Sequence, residues 1–498
     1  MSRAVDTARR GLRALRPALP GATRVVAGAG AAAGLVWAAT TVPGALDLAA
    51  ASGSAAAPVA RTSLATSVAA MCPGTELSGI PGVDDRRVDG RVEAVTGPED
   101  LLPVPADGAG RARLVGDDGT LAELTARPDA VEEDLPDTGP VLLTADGALA
   151  PAVTATQEWL RTSSDLRGLV TTPCLPASSD LWLVGGGDGP GRQERLVLAN
   201  PGGNPVTATV TVLGGAGSVA PPQAQTVPAG GRTTLLLDAV AGTEAMPVVH
   251  VVADGGGLHA TLTDTWLDGS TPLGAETVVP TAAPGTVQVV PATVVSGRTT
   301  LRVAAPGEDE AVASVTLLGP KGPVATTEDT VLTVPAEGVG ELRLPDVPDG
   351  VYTAVVRADV PVVAATLSTV GDPESRGDLA WSVSAPVVTE VAGLALPDTP
   401  KVSRTLHLVS TGGASTADVT LVVDGEERTR TVDLLSERST DVDLEDASAV
   451  WVRRGSGAGA LRGGVVSTAG RGGSAVLSVV PLEPVAVTSP VSRSFPMP

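Results

Sequence analysis

Few side chains in this chain could do chemistry, and they are scattered. Its 498 residues include only three His and two Cys. His250, His259 and Asp264 offer the nitrogen and oxygen atoms that metals prefer. But His250 sits inside the apolar run Val248–Val252, and the matching positions further along are Val356 and Val363. Packed or surface His is therefore the expectation, with no metal. His407 stands alone in a strand. The run Gly185–Gly191 looks like a phosphate loop, but another strand follows it where an anion-binding loop needs a helix. A hairpin loop is the expectation. The alternating acids Asp441, Asp443 and Glu445 fit one solvated strand face better than the converging oxygens of a calcium site. No nucleophile elbow, paired-His metal helix or Walker pattern occurs, so neither catalytic residues nor a cofactor are expected.

Two other residue sets remain. Cys72 and Cys174 form an even count, which in an oxidising compartment points to one disulfide. Closing a loop of about 100 residues would stabilise by roughly 4–5 kcal/mol in the chain-entropy picture. Trp159, Trp266 and Trp381 recur near the ends of a repeated pattern, with Trp182 and Trp451 nearby. Aromatic rings can lie against sugar faces, which makes Trp266 and Trp381 candidate glycan contacts. The competing reading is that each ring plugs a core otherwise made of small aliphatic residues.

The elements that must position these residues follow from repetition. RLVLANPGG near Leu196, TLRVAAPGE near Leu301 and TLHLVSTGG near Leu406 return every 105 residues. Each leads into an alternating apolar run such as Val206–Val212, and each copy ends in a hairpin-like tail. A divergent fourth copy precedes them, because Asp146 aligns with Asp254 and Trp159 with Trp266 at spacings of 108 and 107. That register puts Cys72 on an opening strand and Cys174 on a closing strand. Self-similarity at this period means stacked modules of one design. About seven short strands per copy, with 59 Gly and 42 Pro for turns, match an immunoglobulin-like sandwich. Amphipathic helices between strands are missing, which disfavours a parallel α/β fold. The formal charge of −22 argues against a nucleic-acid partner.

The N-terminus reads as an address. Six Arg in the first 24 residues precede an uncharged stretch of 22 residues, 25–46, long enough to cross roughly 30 Å of hydrocarbon. Basic residues stay inside, so the remainder is expected outside. Gly30 and Gly34 form a GxxxG and are candidate helix–helix contacts. A cleaved signal peptide, cut near Ala49–Ala51, is the competing reading and would give a secreted form.

The stretches SSDLWLVGGGDGPGRQERLVLANPGGNPVTATVTVLGGAG, VPAGGRTTLLLDAVAG and VVHVVADGGGLHATLTDTW resemble a family of uncharacterised actinobacterial exported proteins, known only as a domain of unknown function. The resemblance runs from about Cys72 to the C-terminus and is most specific over 180–279. It implies an N-terminal membrane segment, a Cys pair, a β-rich exterior and a cell-envelope setting beside a large membrane glycosyltransferase. It carries over no catalytic residue.

The expectation is therefore an all-β chain of tandem immunoglobulin-like β-sandwich modules after one N-terminal transmembrane helix. Its parts are a basic cytoplasmic segment (1–24), the helix (25–46), a flexible tether (47–67), a divergent module with the disulfide (68–178), three further modules (179–285, 286–390 and 391–484) and a disordered tail (485–498). The expected role is a non-enzymatic envelope scaffold or accessory subunit, held in the cell membrane through 25–46 with its bulk outside. Its partner would be an envelope-assembly membrane protein. The alternative is a cell-wall glycan-binding module.

Overall fold

Alternation of small aliphatic with hydroxyl-bearing residues makes strands with one face in a core. In Val206–Gly214, Val206, Ala208, Val210 and Val212 are buried and Thr207 is exposed. A computed structural model describes residues 62–490 apart from 81, 297, 326–329, 345 and 373–375. It is all-β, with 62% strand and 2% helix. Segments 1–24 and 25–46, with Gly30 and Gly34, lie outside the described residues. Among the described residues no helix is long and apolar enough to cross a membrane.

The strands form sandwich-like pairs of sheets, and one strand order recurs four times. Counting eight strands along each copy, one sheet runs 1-6-3-4 and the facing sheet 5-2-7-8. In the second copy these are Asp180–Val184, Val248–Asp254, Val206–Gly214 and Gln223–Val227, facing Arg232–Leu236, Arg192–Ala199, His259–Asp268 and Thr271–Val278. This is not the immunoglobulin order expected from the strand count. There the first two strands are neighbours in one sheet; here they lie in opposite sheets.

The hairpin-like tails are not hairpins either. Val248–Asp254 pairs with Asp180–Val184 and Val206–Gly214, whereas His259–Asp268 pairs with Arg192–Ala199 and Thr271–Val278. The turn between them carries the chain from one sheet to the facing one. Alternation reads the same whether the next strand is a ladder partner or a facing strand, so the pattern could not separate the two. In the third copy the crossover needs no turn. Gly350–Asp372 runs unbroken through both sheets, its first half beside Ala311–Gly319 and its second beside Thr299–Ala305.

Each copy ends in an eighth strand at a sheet edge: Arg167–Pro173, Thr271–Val278, Arg376–Val383 and Val476–Pro481. These four closing strands pack on one another in chain order, and the fourth packs on the first, so they form a ring. Their backbones approach closely. A Cβ on Gly168 would lie 2.6 Å from the Ala275 carbonyl oxygen, and one on Gly274, whose φ is +136°, 2.5 Å from the Leu379 nitrogen. Residues 62–490 accordingly form one compact unit.

The chain ends add to this closure. Thr62–Leu64 pairs antiparallel with Thr488–Pro490. Val487 is 2% exposed, and the Val485 amide donates to the Val391 carbonyl at 3.0 Å. The expected tether and tail are therefore built into the fold over 62–67 and 485–490. The reason is the alternation of Val485 and Val487, which buries Val487 and packs the half-buried Val485 against the cluster of Leu64, Val391 and Trp451.

Filling the gap at Gly168 forces the first two closing strands apart. Gly168→Val is expected to destabilise the unit by about 1–3 kcal/mol, read as a lower denaturation midpoint in guanidinium chloride. A midpoint equal to wild type would mean that the strands do not meet as described.

Candidate functional site

Four edge strands buried at one place bring their unpaired amides with them, and buried amides require acceptors. Side chains on neighbouring closing strands supply them. Asp378 accepts from the Ala275 amide at 3.2 Å and the Leu477 amide at 2.8 Å. Glu276 accepts from the Val479 amide at 3.4 Å and the Ser478 hydroxyl at 3.0 Å. Ser478 accepts from the Thr171 amide at 3.1 Å. Glu76, between the first two copies, accepts from Thr277, Thr172, Trp159 and Gln157. Glu158 of the first copy accepts from Arg404 of the fourth at 2.5 Å. The middle of the molecule is thus a network of carboxylates and hydroxyls that joins all four copies.

Burial dominates the electrostatics of these acids. It pushes Asp378 up to about 8, against the lowering effect of its backbone donors. It pushes Glu276 well above the usual carboxylate range and raises Glu76. Further out, burial lifts Glu93, Glu194 and Glu483 to about 8 each.

A second junction joins the second and third copies through paired charges and rings. Arg192 grips Asp264 with two bonds of 2.8 and 2.5 Å, and the Trp381 indole donates to the same carboxylate at 2.8 Å. Burial alone would raise Asp264, but the Arg192 guanidinium outweighs it and holds the carboxyl low. Arg302 lies over Trp381 at 4.8 Å and donates to the carbonyls of Gly185, Gly186, Ala245 and Pro247. The glycine-rich run is not the expected hairpin loop, because it joins the first strand of one sheet to the second strand in the facing sheet, and its carbonyls hold an Arg from the next copy.

These contacts revise the glycan candidates. Trp381 is 2% exposed with its indole nitrogen engaged, so its ring cannot meet a sugar while the junction is closed. Trp266 is half-buried, with Arg192 over its face at 5.2 Å and its nitrogen on the Pro190 carbonyl. It aligns with Trp159 on seventh strands, whereas Trp381 belongs to an eighth strand, Trp451 to a sixth and Trp182 to a first. The rings are core and junction plugs at different places in the repeat.

The His residues do not converge. His250 stacks on Trp182 at 3.9 Å and meets Asp180 at 3.0 Å. Asp264 is held by Arg192. His407 bridges Thr353 of the third copy and Asp441 of the fourth. Among the described residues no group of three His, Cys, Asp or Glu side chains could hold a metal.

His259 is different. Burial lowers it to about 4, so the ring is neutral. Neither ring nitrogen has a hydrogen-bond partner among the described residues. It lines a cavity of about 170 Å³ where the segments after the closing strands meet, with Leu175, Pro280, Pro386 and Glu483. A neutral imidazole and a carboxyl raised to about 8 offer that cavity one donor–acceptor pair and one exchangeable proton. Residue spacing does not point to this pairing, because Glu483 is more than two hundred positions from His259.

Cys72 and Cys174 form the one disulfide among the described residues, 102 positions apart. Cys72 ends the first strand of one sheet and Cys174 follows the closing strand of the other, so the bond ties the two sheets together.

These features define an all-β protein whose buried polar chemistry joins repeated sheet pairs into one body. A family model described as a family of unknown function (DUF5719) matches residues 130–445. The chain belongs to that family. The match starts at the strand Asp129–Asp134 and stops before the last three strands of the fourth copy, which leaves out Cys72. No curated protein matches the chain.

Two outcomes test these junctions. Arg192→Met strands the Asp264 charge in the interior and is expected to cost about 3–5 kcal/mol in chemical denaturation. The second concerns pH. An unfolded carboxylate titrates near 4, while Asp378 does so at about 8 in the fold. The native state therefore binds more protons between those values, and stability falls as pH rises through that window. His259 acts in the opposite sense, but only below about pH 6.5. The melting temperature should then fall from about pH 6.5 to about pH 8, and Asp378→Asn should flatten the slope. A melting temperature that rises over this interval would contradict the assignment.

Proposed function

We propose that this chain is a non-enzymatic scaffold or accessory subunit of the cell envelope, anchored by residues 25–46 and carrying the unit 62–490 outside the membrane. The observation that carries this reading is the ring of closing strands. Side chains that could serve catalysis, the buried Asp and Glu above all, are instead engaged in holding four sheet pairs in one fixed arrangement. A fixed body of this size presents surfaces at set positions, as a scaffold must. The disulfide supports an oxidising compartment, and the basic lead before the apolar stretch supports an N-terminus on the cytoplasmic side. The GxxxG at Gly30 and Gly34 would let two anchors pack together. The partner is an envelope-assembly membrane protein. Sugar contact through Trp381 would require opening the junction with Asp264, which weighs against the glycan-binding alternative.

Crosslinking in intact cells with a tagged full-length chain tests the proposal. Specific capture of a membrane protein of envelope assembly is the expected result. Capture of wall polymer with no protein partner would replace the scaffold reading by glycan binding.

A further inference from the structure

At the end of the ring opposite the His259 cavity, the closing strands begin. There a cleft of about 360 Å³ lies between the first, third and fourth copies. Arg167, Arg376 and Lys401 line it, and among the described residues no carboxylate does. This is unusual for a chain with 56 acidic against 34 basic residues and a net charge of −22. Lys401 is also one of only two lysines, the other being Lys321.

The cations are not spent on one another's neighbours. Arg167 is 4% exposed and gives one terminal nitrogen to the Ser474 and Ala475 carbonyls at 2.5 and 3.1 Å. Its Nε has no hydrogen-bond partner among the described residues. Arg376 and Lys401 are exposed, and neither forms an ion pair among the described residues. Burial lowers Arg167, against the raising effect of the Asp378 carboxylate behind it, and the Arg376 charge lowers it further. Like charges gathered in a concave place, one of them desolvated, are stabilised by an anion. Guanidinium groups with free N–H donors suit an oxygen-rich anion in particular.

We propose that the cleft lined by Arg167, Arg376 and Lys401 is an anion-binding site for a phosphate group carried on a larger molecule. Arg167 forms its fixed floor, and Arg376 and Lys401 close on the phosphate from the rim. The phosphate comes from a lipid headgroup or from a soluble phosphorylated compound, and both present the same chemistry. The site is independent of the scaffold reading and stands or falls without it.

The test is calorimetric titration of the full-length chain in a non-ionic detergent, with glycerol 3-phosphate and with a short-chain phosphatidylglycerol as probes. The comparison is with Arg376→Gln/Lys401→Gln, two exposed positions whose change leaves the ring intact. Lys321→Gln/Arg343→Gln loses the same charge elsewhere and controls for the long-range field and for the basic N-terminus. Binding by wild type and by the control, weakened about tenfold or more in the cleft variant, is the expected result. Equal affinities for the two probes assign recognition to the phosphate alone, and tighter binding of the lipid assigns it to a headgroup at a membrane surface. Affinity unchanged in the cleft variant, or lost equally in the control, would overturn the proposal, as would no binding of either probe by wild type.

Discussion

A strand edge removed from water must find hydrogen-bond acceptors, and this molecule removes four at once. Proteins commonly pair, cover or charge such edges. Here the edges face one another, and the acceptors come from side chains. Asp378 serves amides on two other closing strands, and Glu276 serves a further amide on one of the same two. Much else follows from that arrangement. Glycine is required at Gly168 and Gly274 because the backbones come within contact of one another. Acids must enter the interior, where burial lifts them far from their ordinary range. The sheet pairs lose their independence, since each supplies acceptors or donors that another needs.

The second junction meets the same kind of demand with charge. Loop carbonyls at Gly185 and Gly186 have no ladder partner, and Arg302 satisfies them from the neighbouring copy. Trp381 and Asp264 complete the contact. The apolar core reflects it too, since the core of the second copy continues without a break to Val339, Val363, Leu379 and Trp381 of the third. The disulfide does for the first copy what these contacts do between copies, tying two sheets that share no ladder.

Repetition and alternation made much of the fold legible. The spacing of 105 residues, the strands such as Val206–Gly214 and the pairing of Cys72 with Cys174 could all be read from residue types alone. Strand neighbours could not, because local alternation carries no record of which sheet the next strand joins. The polar centre was equally hidden. Glu276 in GAETVVP and Asp378 in GDLAWSV look like stray acids in apolar strands, as Arg302 does in TLRVAAP. Each sits where a solvent-facing residue would also be acceptable. The available clue was a charged residue in an otherwise apolar strand, preceded closely by Gly. Trp381 and Trp266 look equivalent in the sequence for a related reason: a lone large ring near the end of a repeat does not reveal whether the seventh or the eighth strand carries it.

The ring also orders events in time. A chain made from its N-terminus delivers the first closing strand, Arg167–Pro173, some three hundred residues before its last neighbour, Val476–Pro481. Until then the Thr171 amide lacks Ser478, and Asp378 lacks the Leu477 amide. Each sheet pair can form its own ladders early, but the centre stays open to water until the final copy arrives. Closure is therefore a single late step of high sequence separation, a kind of contact that forms slowly. A product cut short before Val476 would hold three finished sandwiches around an unfinished middle, with carboxylates and strand edges facing outward.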